Sequence, residues 1–303
     1  MSHATDRRLA AACLALLIAA AAPAAGGNEG IPAGADSAAA VGDPAVADGV
    51  ATGRRGIPVI WPDSTAGVVY PDTLPFGSGE ILEYELAYGI VKVGRARLET
   101  VEQGRLRGRA VLQIRSRGKS LKWVDAIYPV RDEVLSWLDL DSLLSLRFVK
   151  NLHEGSYAKE TEADYFHEEG VARYADGTTA ELVAGSQDIL TALYLIRSLP
   201  LEPGMSLRIP VHDNRKNYPL RVLVRGRETV STALGEMPCL VLEPYLESGG
   251  IFKSEGKMLV YLSEDALRVP VLLRARAPVG SFTSTLVARR LGRPLRPTAA
   301  GEP

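Results

Sequence analysis

From Phe76 onward hydrophobic residues recur at every second position. Leu82, Tyr84, Leu86 and Tyr88 fall on one side of the chain while Glu83 and Glu85 fall on the other, the period of a half-buried strand. Ala110, Leu112, Ile114 and Ser116 alternate in the same way with Arg109, Gln113, Arg115 and Arg117, so one face of that segment is cationic. Gly89 and Gly94 flank a short apolar run, and glycines at such places predict bulges or bends. Gln103-Gly104 predicts a turn, and the segment Leu121 to Trp137 predicts two strands around Pro129. Further turns are expected at Glu154-Gly155, His167 to Gly170 and Asp176-Gly177. Short strand-like runs then follow at Ser206, Leu220, Glu228, Cys239, Lys257, Val269 and Phe282.

One stretch breaks this rhythm. Between Ser186 and Arg197 the residues Ile189, Leu190, Leu193, Tyr194 and Ile196 recur at helical spacing. Ser186 is placed to cap the helix, Asp188 and Arg197 suit its dipole, and Pro200 with Gly204 closes it. An isolated helix of this length is marginal in water, so its apolar stripe must lie against the strands. The predicted fold is mainly β: a large curved antiparallel sheet, barrel-like or half-pipe, with one helix packed against it. A helix after almost every strand, as βαβ units require, is missing.

Composition changes this picture little. The chain has 303 residues, 46% hydrophobic and 23% charged, with a net charge of −1, so nothing suggests a nucleic-acid partner. The N-terminus adds a compartment. Arg7 and Arg8 precede the apolar run Leu9 to Ala22, followed by the small residues around Ala24, so residues 1–25 read as a cleaved signal peptide and the protein as exported and periplasmic. Residues 26–56 read as a disordered linker, 57–75 as an extended strap, 76–292 as a single β-rich domain and 293–303 as a loose tail. Cleavage would remove Cys13 and leave Cys239 in an apolar run, where a buried inert thiol is expected.

Four stretches together resemble a known family: Phe76-Gly-Ser-Gly-Glu-Ile-Leu-Glu-Tyr84 with Tyr88 and Gly94, Tyr128-Pro-Val-Arg-Asp132, the helix from Asp188 to Arg197, and Ser263-Glu-Asp265 followed by Val269-Pro-Val271. Their order and spacing are similar to domain of unknown function 3108, a family of bacterial exported proteins, over about Phe76 to Ala288. The resemblance implies an envelope protein with a long antiparallel, barrel-like or half-pipe sheet and, by looser analogy, the lipoprotein-carrier type of fold. It implies no catalytic residues.

The residues themselves show no nucleophile motif and no phosphate-cradling loop before a helix. His153, His167 and His212 lack metal-ligand spacing and read as solvated loop residues; Glu160, Glu162 and Asp164 read as a solvated strand face. No metal, cofactor or enzymatic activity is expected. Two groups remain as candidate binding residues. Arg109, Arg115, Arg117, Lys119 and Lys122 form a cationic band running into Trp123, suited to an anionic head group or polysaccharide. Arg131, Tyr194 and Arg197 complete the set, with Asp188, Arg197 and Arg131 expected to pair in an inward-facing network. The expected function is a non-enzymatic envelope binding or carrier protein whose concave face accepts an amphipathic ligand such as a lipid or glycan, with peripheral association with a membrane. A scaffold that binds an envelope protein through an exposed strand edge, or a hydrolase, is the alternative.

Overall fold

The alternation is realised as one antiparallel sheet that coils around its apolar side. The computed structural model describes residues 52–53, 57–58, 73–248, 251–252, 258–276 and 280–295. Two short pairings stand apart from the main sheet. β1 (Thr52–Gly53) pairs with β2 (Ile57–Pro58), and β3 (Gly77–Ser78) pairs with β19 (Arg293–Pro294). The first long strands are β4 (Ile81–Tyr88), β5 (Val91–Leu106), β6 (Arg109–Ser120), β7 (Arg131–Asp139), β8 (Ser145–Glu154) and β9 (Tyr157–Phe166). β10 (Val171–Tyr174) and β11 (Thr179–Glu181) end this half. After the helix come β12 (Ser206–Asp213), β13 (Lys216–Thr232), β14 (Gly235–Ser248), β15 (Ile251–Phe252), β16 (Met258–Ser263), β17 (Pro270–Arg276) and β18 (Ser281–Arg290).

The strand order is β11-β10-β9-β8-β7-β6-β5-β4-β18-β17-β16-β14-β13-β12, with β15 on β14. β4 therefore sits mid-sheet, with its sequence neighbour β5 on one side and β18 on the other. Leu82, Tyr84, Leu98, Leu112, Ile114, Val134, Leu138 and Phe148 face the concave side and are buried, as the alternation requires.

Two helical segments occur among the described residues. α1 (Lys122–Asp125) is a single turn in a stretch expected to be extended, and α2 (Ile189–Arg197) is the anticipated helix. α2 starts two residues later than the sequence suggests, and its cap is Asp188 instead of Ser186. Asp188 accepts from the Leu190 and Thr191 N–H groups at 2.8 and 3.0 Å, and the Thr191 hydroxyl accepts from the Asp188 N–H at 3.0 Å. The helix is also not merely striped. Leu190, Thr191, Ala192, Tyr194, Leu195, Ile196 and Arg197 are all buried, because the sheet wraps around it on several sides.

No ladder joins the end strands β11 and β12, but backbone bonds at Gln187 and the Asn217 side chain bridge the gap. Gln187 N–H donates to Pro210 O at 2.9 Å and Gln187 O accepts from His212 N–H at 2.8 Å. Asn217 donates to Glu181 O at 2.9 Å and accepts from Val183 N–H at 3.3 Å. His212, expected in solvent, is fully buried here. Its Nδ1 lies 2.9 Å from Asn217 Oδ1 and its Nε2 lies 2.7 Å from the Tyr174 hydroxyl, which accepts from Arg215 N–H at 3.0 Å. His167 is half-buried against Ser145 O at 2.7 Å, and His153 is exposed.

Three boundaries differ from expectation. β5 runs through Gln103-Gly104 with an irregular register there, and the turn falls at Arg107-Gly108, where both residues take positive φ. β13 is one strand where two were expected, bending at a register shift between Val224 and Gly226. The tail expected to be loose from residue 293 begins as β19, and Leu295 is buried. The expected signal peptide, most of the linker and strap, and residues 296–303 lie outside the described residues.

Candidate functional site

The registers of β4 to β7 place outward-facing charges in rows across the sheet. In the row nearest the β4–β5 turn, Glu85 faces Arg95, Arg95 faces Lys119, and Lys119 faces Arg131. Glu83, Arg97, Arg117 and Glu133 form the next row, and Glu99 with Arg115 the one after it. The first two rows line an open groove of about 670 Å³ on the outer face.

The inner rows neutralise themselves. Glu99 binds Arg117 at 2.6 Å, Arg97 at 2.8 Å and Arg115 at 3.4 Å. Burial opposes ionisation of Glu99, but the Arg117 and Arg97 guanidiniums outweigh it and hold the carboxyl below its ordinary range. Arg115 also reaches Glu133 at 3.5 Å. In the outer row, Lys92 takes Glu85 at 2.8 Å and Arg131 takes Asp125 at 2.6 Å. Hydrogen bonds from Arg131 and Ser120 hold the Asp125 carboxyl down at about 2. Arg95, Lys119 and the adjoining Lys122 are exposed and have no acidic partner among the described residues.

α1 borders this row. Leu121 N–H donates to Val93 O at 2.9 Å, and Ser120 with Arg131 grips Asp125, so the turn is fastened to β5, β6 and β7. Trp123 projects from it, 51% exposed. On the opposite face of the same strands, Asp132 is buried and accepts His153 N–H at 3.0 Å. Burial pushes its carboxyl up to about 6, and burial with the Asp132 charge pushes Glu154 up to about 7.

Of the seven residues expected to bind, Arg117 and Arg131 line the groove, Arg115 pairs with Glu133 of its lining, and Lys122 and Trp123 lie on α1, which Asp125 fastens to Arg131. Tyr194 and Arg197 do not join them. Arg197 is buried against Glu80 at 2.7 and 2.8 Å, with Pro75 O and Leu267 O completing its shell, and Tyr194 packs edge-on to Phe76. The expected network of Asp188, Arg197 and Arg131 does not form. Asp188 is held by Ser136 and Ser145 at 2.7 and 2.6 Å, and Arg131 is on the outer face. Arg109, in the expected band, pairs instead with Asp139. Arg95, Arg97 and Glu99 were missed, although their alternation along β5 matches that of the band on β6.

The concave face expected to take an acyl chain is packed around α2 by a continuous apolar cluster. No group of three or more potential metal ligands occurs among the described residues. Cys239 is buried, and burial followed by the Asp265 and Glu264 charges pushes its thiol up to about 11, leaving it unreactive.

Residues 83–287 match the family described as Protein of unknown function (DUF3108). Among solved structures the chain is similar to a β-barrel-like protein of the domain of unknown function DUF1849 from Brucella abortus. Identity is 14% and the TM-score 0.52, over 72% of this chain and 99% of that one. At lower scores it is similar to a protein provisionally described as a lipoprotein from Parabacteroides distasonis, with 10% identity, a TM-score of 0.32 and coverage of 73% and 100%. Another, from Bacteroides fragilis, is provisionally described as exported with a YmcC-like fold; it has 12% identity, a TM-score of 0.33 and coverage of 72% and 98%. No curated protein matches. At this identity the Brucella structure supports the β-barrel-like fold alone.

Proposed function

Given that this chain belongs to the DUF3108 family, a family of unknown function, we propose that it is a non-enzymatic binding module of the cell envelope. Its outer groove holds the anionic head of an amphipathic ligand, a lipid or a glycan. The observation that carries this reading is the row Arg95–Lys119–Arg131, three cations directly opposite one another across adjacent strands. Like charges so placed repel, and only Arg131 has a carboxylate of its own among the described residues. A phosphate or carboxylate between them would relieve the repulsion and accept charge-assisted hydrogen bonds from an arginine and a lysine. Trp123 beside the row offers an aromatic wall to the less polar part of such a ligand.

Calorimetric titration with a soluble short-chain phosphatidylglycerol, compared with the matching phosphatidylcholine, tests the reading. Binding of the anionic lipid alone is expected, with affinity falling at high salt and by about tenfold or more in Arg95→Glu, since hydrogen bonds to charged groups contribute about 1.5–3 kcal/mol. Equal affinity for both lipids, no binding of either, or an unaffected charge-reversed variant would refute it. Native mass spectrometry of protein gently purified from the envelope identifies the ligand as lipid or glycan.

A further inference from the structure

Eight large hydrophobic side chains remain exposed among the described residues, and Val183, Leu234 and Leu291 lie apart from the other five. Ile90 is 98% exposed, Ile127 75%, Trp123 51%, Tyr157 49% and Val91 48%. All five lie on three connections at one end of the sheet: the β4–β5 turn, the β6–β7 connection that contains α1, and the β8–β9 turn. The turns at the other end of the same strands, at Arg107-Gly108, Leu140 to Leu144 and His167 to Gly170, expose no large hydrophobic residue. The other three are scattered at the far end of the sheet, after β11, in the β13–β14 turn and after β18, so what sets the five apart is their gathering on adjoining connections.

The apolar rim is also fixed in shape. Leu121 N–H donates to Val93 O at 2.9 Å, tying the first connection to the second. Gly155 N–H donates to Pro129 O at 2.8 Å, and Val130 bridges to Glu154, tying the second to the third. The Tyr128 ring lies so close over Gly155 that a Cβ there would stand 2.7 Å from it. The apolar tips are therefore held side by side without a hydrophobic cover of their own among the described residues.

Charge decides what covers them. Behind the tips stand Lys92, Arg95, Lys119, Lys122 and Arg131, of which Arg95, Lys119 and Lys122 lack an acidic partner among the described residues. An apolar tip with an aromatic residue at its shoulder and a cationic collar behind matches the depth profile of an anionic bilayer, with hydrocarbon innermost and phosphates next.

We propose that this rim is a membrane-docking edge: Ile90, Trp123 and Ile127 enter the interface of an anionic lipid bilayer while Lys122, Lys119 and Arg95 meet its head groups. The groove opens behind the same edge, so a lipid would reach it from the bilayer without crossing water. The docking shares Arg95 and Lys119 with the groove but depends on Ile90 and Ile127, which the groove does not use.

The test is sedimentation of the protein, in the form purified from the envelope, with vesicles of phosphatidylcholine alone or containing about 30% phosphatidylglycerol at low ionic strength, where surface attraction acts. Wild type is expected to sediment with the anionic vesicles and much less with the neutral ones. Brominated acyl chains should quench its emission, an effect lost in Trp123→Phe. The Ile90→Asp/Ile127→Asp variant alters only exposed positions, so circular dichroism should match wild type. Its partition coefficient should fall by at least about tenfold, since burying such a side chain contributes about 1.5–3 kcal/mol. Its titration with soluble short-chain phosphatidylglycerol should be unchanged. Wild type that stays in the supernatant, or a double variant that sediments as well as wild type, overturns the docking edge. So does concentration-dependent dimerisation in the absence of vesicles that the double variant abolishes, since the rim would then be covered by a second copy. Loss of soluble-lipid binding in Arg95→Glu alongside retained vesicle binding leaves the groove standing and places docking on the apolar tips.

Discussion

At the residue scale the interior is organised by two buried carboxylates and what faces them. Asp188 accepts two backbone N–H groups of α2 and the hydroxyls of Ser136 and Ser145. Burial pushes its carboxyl up, opposed by those four donors. Replacing it by alanine removes the cap and strands two buried hydroxyls, so Asp188→Ala should cost about 3 kcal/mol, combining the cap with the desolvation of unpaired groups. Chemical denaturation measures this, and a loss below about 1 kcal/mol would show the cap to be dispensable. Glu80 and Arg197 form the second node, both almost fully buried. Arg197→Met leaves Glu80 without its cation, and a loss of about 3–5 kcal/mol is expected from the same measurement. Asp132 supplies a pH prediction. Its folded value, about 6, lies above that of a free carboxyl, so its contribution is fully present below about pH 4 and lost as pH rises through about 6. His212 and His167 are lowered by burial and act in the opposite sense. The comparison is therefore between wild type and Asp132→Asn: the Tm difference should move in favour of the variant between pH 4.5 and pH 8, and a constant difference would refute the assignment.

At the element scale, local signals set strands and turns while contacts set their limits. The helix begins where Asp188 meets Ser136 and Ser145 on β7 and β8, so the better-sounding start at Ser186 loses to a tertiary contact. The turn falls at Arg107-Gly108, which takes positive φ at both positions, while Gln103-Gly104 stays paired with Leu112 and Val111 inside the ladder. The seam between β11 and β12 depends on Asn217 and on neutral His212, whose value burial lowers. A lowered histidine contributes stability above its unfolded value, about 6.5, and loses it as pH falls. The short end strand β11 should therefore open first in mild acid. Hydrogen exchange at Thr179–Glu181, corrected for intrinsic rates, should accelerate between pH 7 and pH 5, and Asn217→Ala should produce the same acceleration at pH 7. Protection in β4 to β7 should not change. Uniform loss of protection across the sheet would show that the seam is not a separate opening unit.

At the scale of the whole molecule, β18 pairs with β4 across some two hundred residues of chain, Arg290 lying opposite Ile81. The two halves of the sheet meet there, so the first half cannot complete its central neighbour until the last strand is made. Topology dominated by such distant pairing folds slowly, on the order of milliseconds to seconds even in small domains. A chain ending at Gly280 should leave β4 and β17 as open edges and aggregate during refolding, whereas one ending at Leu295 should refold to a monomer; light scattering separates the two. Three of the four stretches that carry the family resemblance also meet at one place. Tyr84 donates to Pro270 O at 2.9 Å, and Arg197 donates to Leu267 O at 3.1 Å and to Glu80. These contacts hold the fold together.

The sequence by itself determined the strand periodicity, the helix ending at Arg197 and the two-faced charge pattern of β6, because each depends on neighbours a few positions apart. Only the tertiary structure decided that Arg197 faces Glu80 instead of Arg131 and Asp188, that Arg95, Lys119 and Arg131 stand in one row, and that Ile90, Trp123, Ile127 and Tyr157 share a rim. Register and curvature bring these groups together from strands far apart in the chain, and an alternating pattern records which face a residue takes without recording which residue it meets.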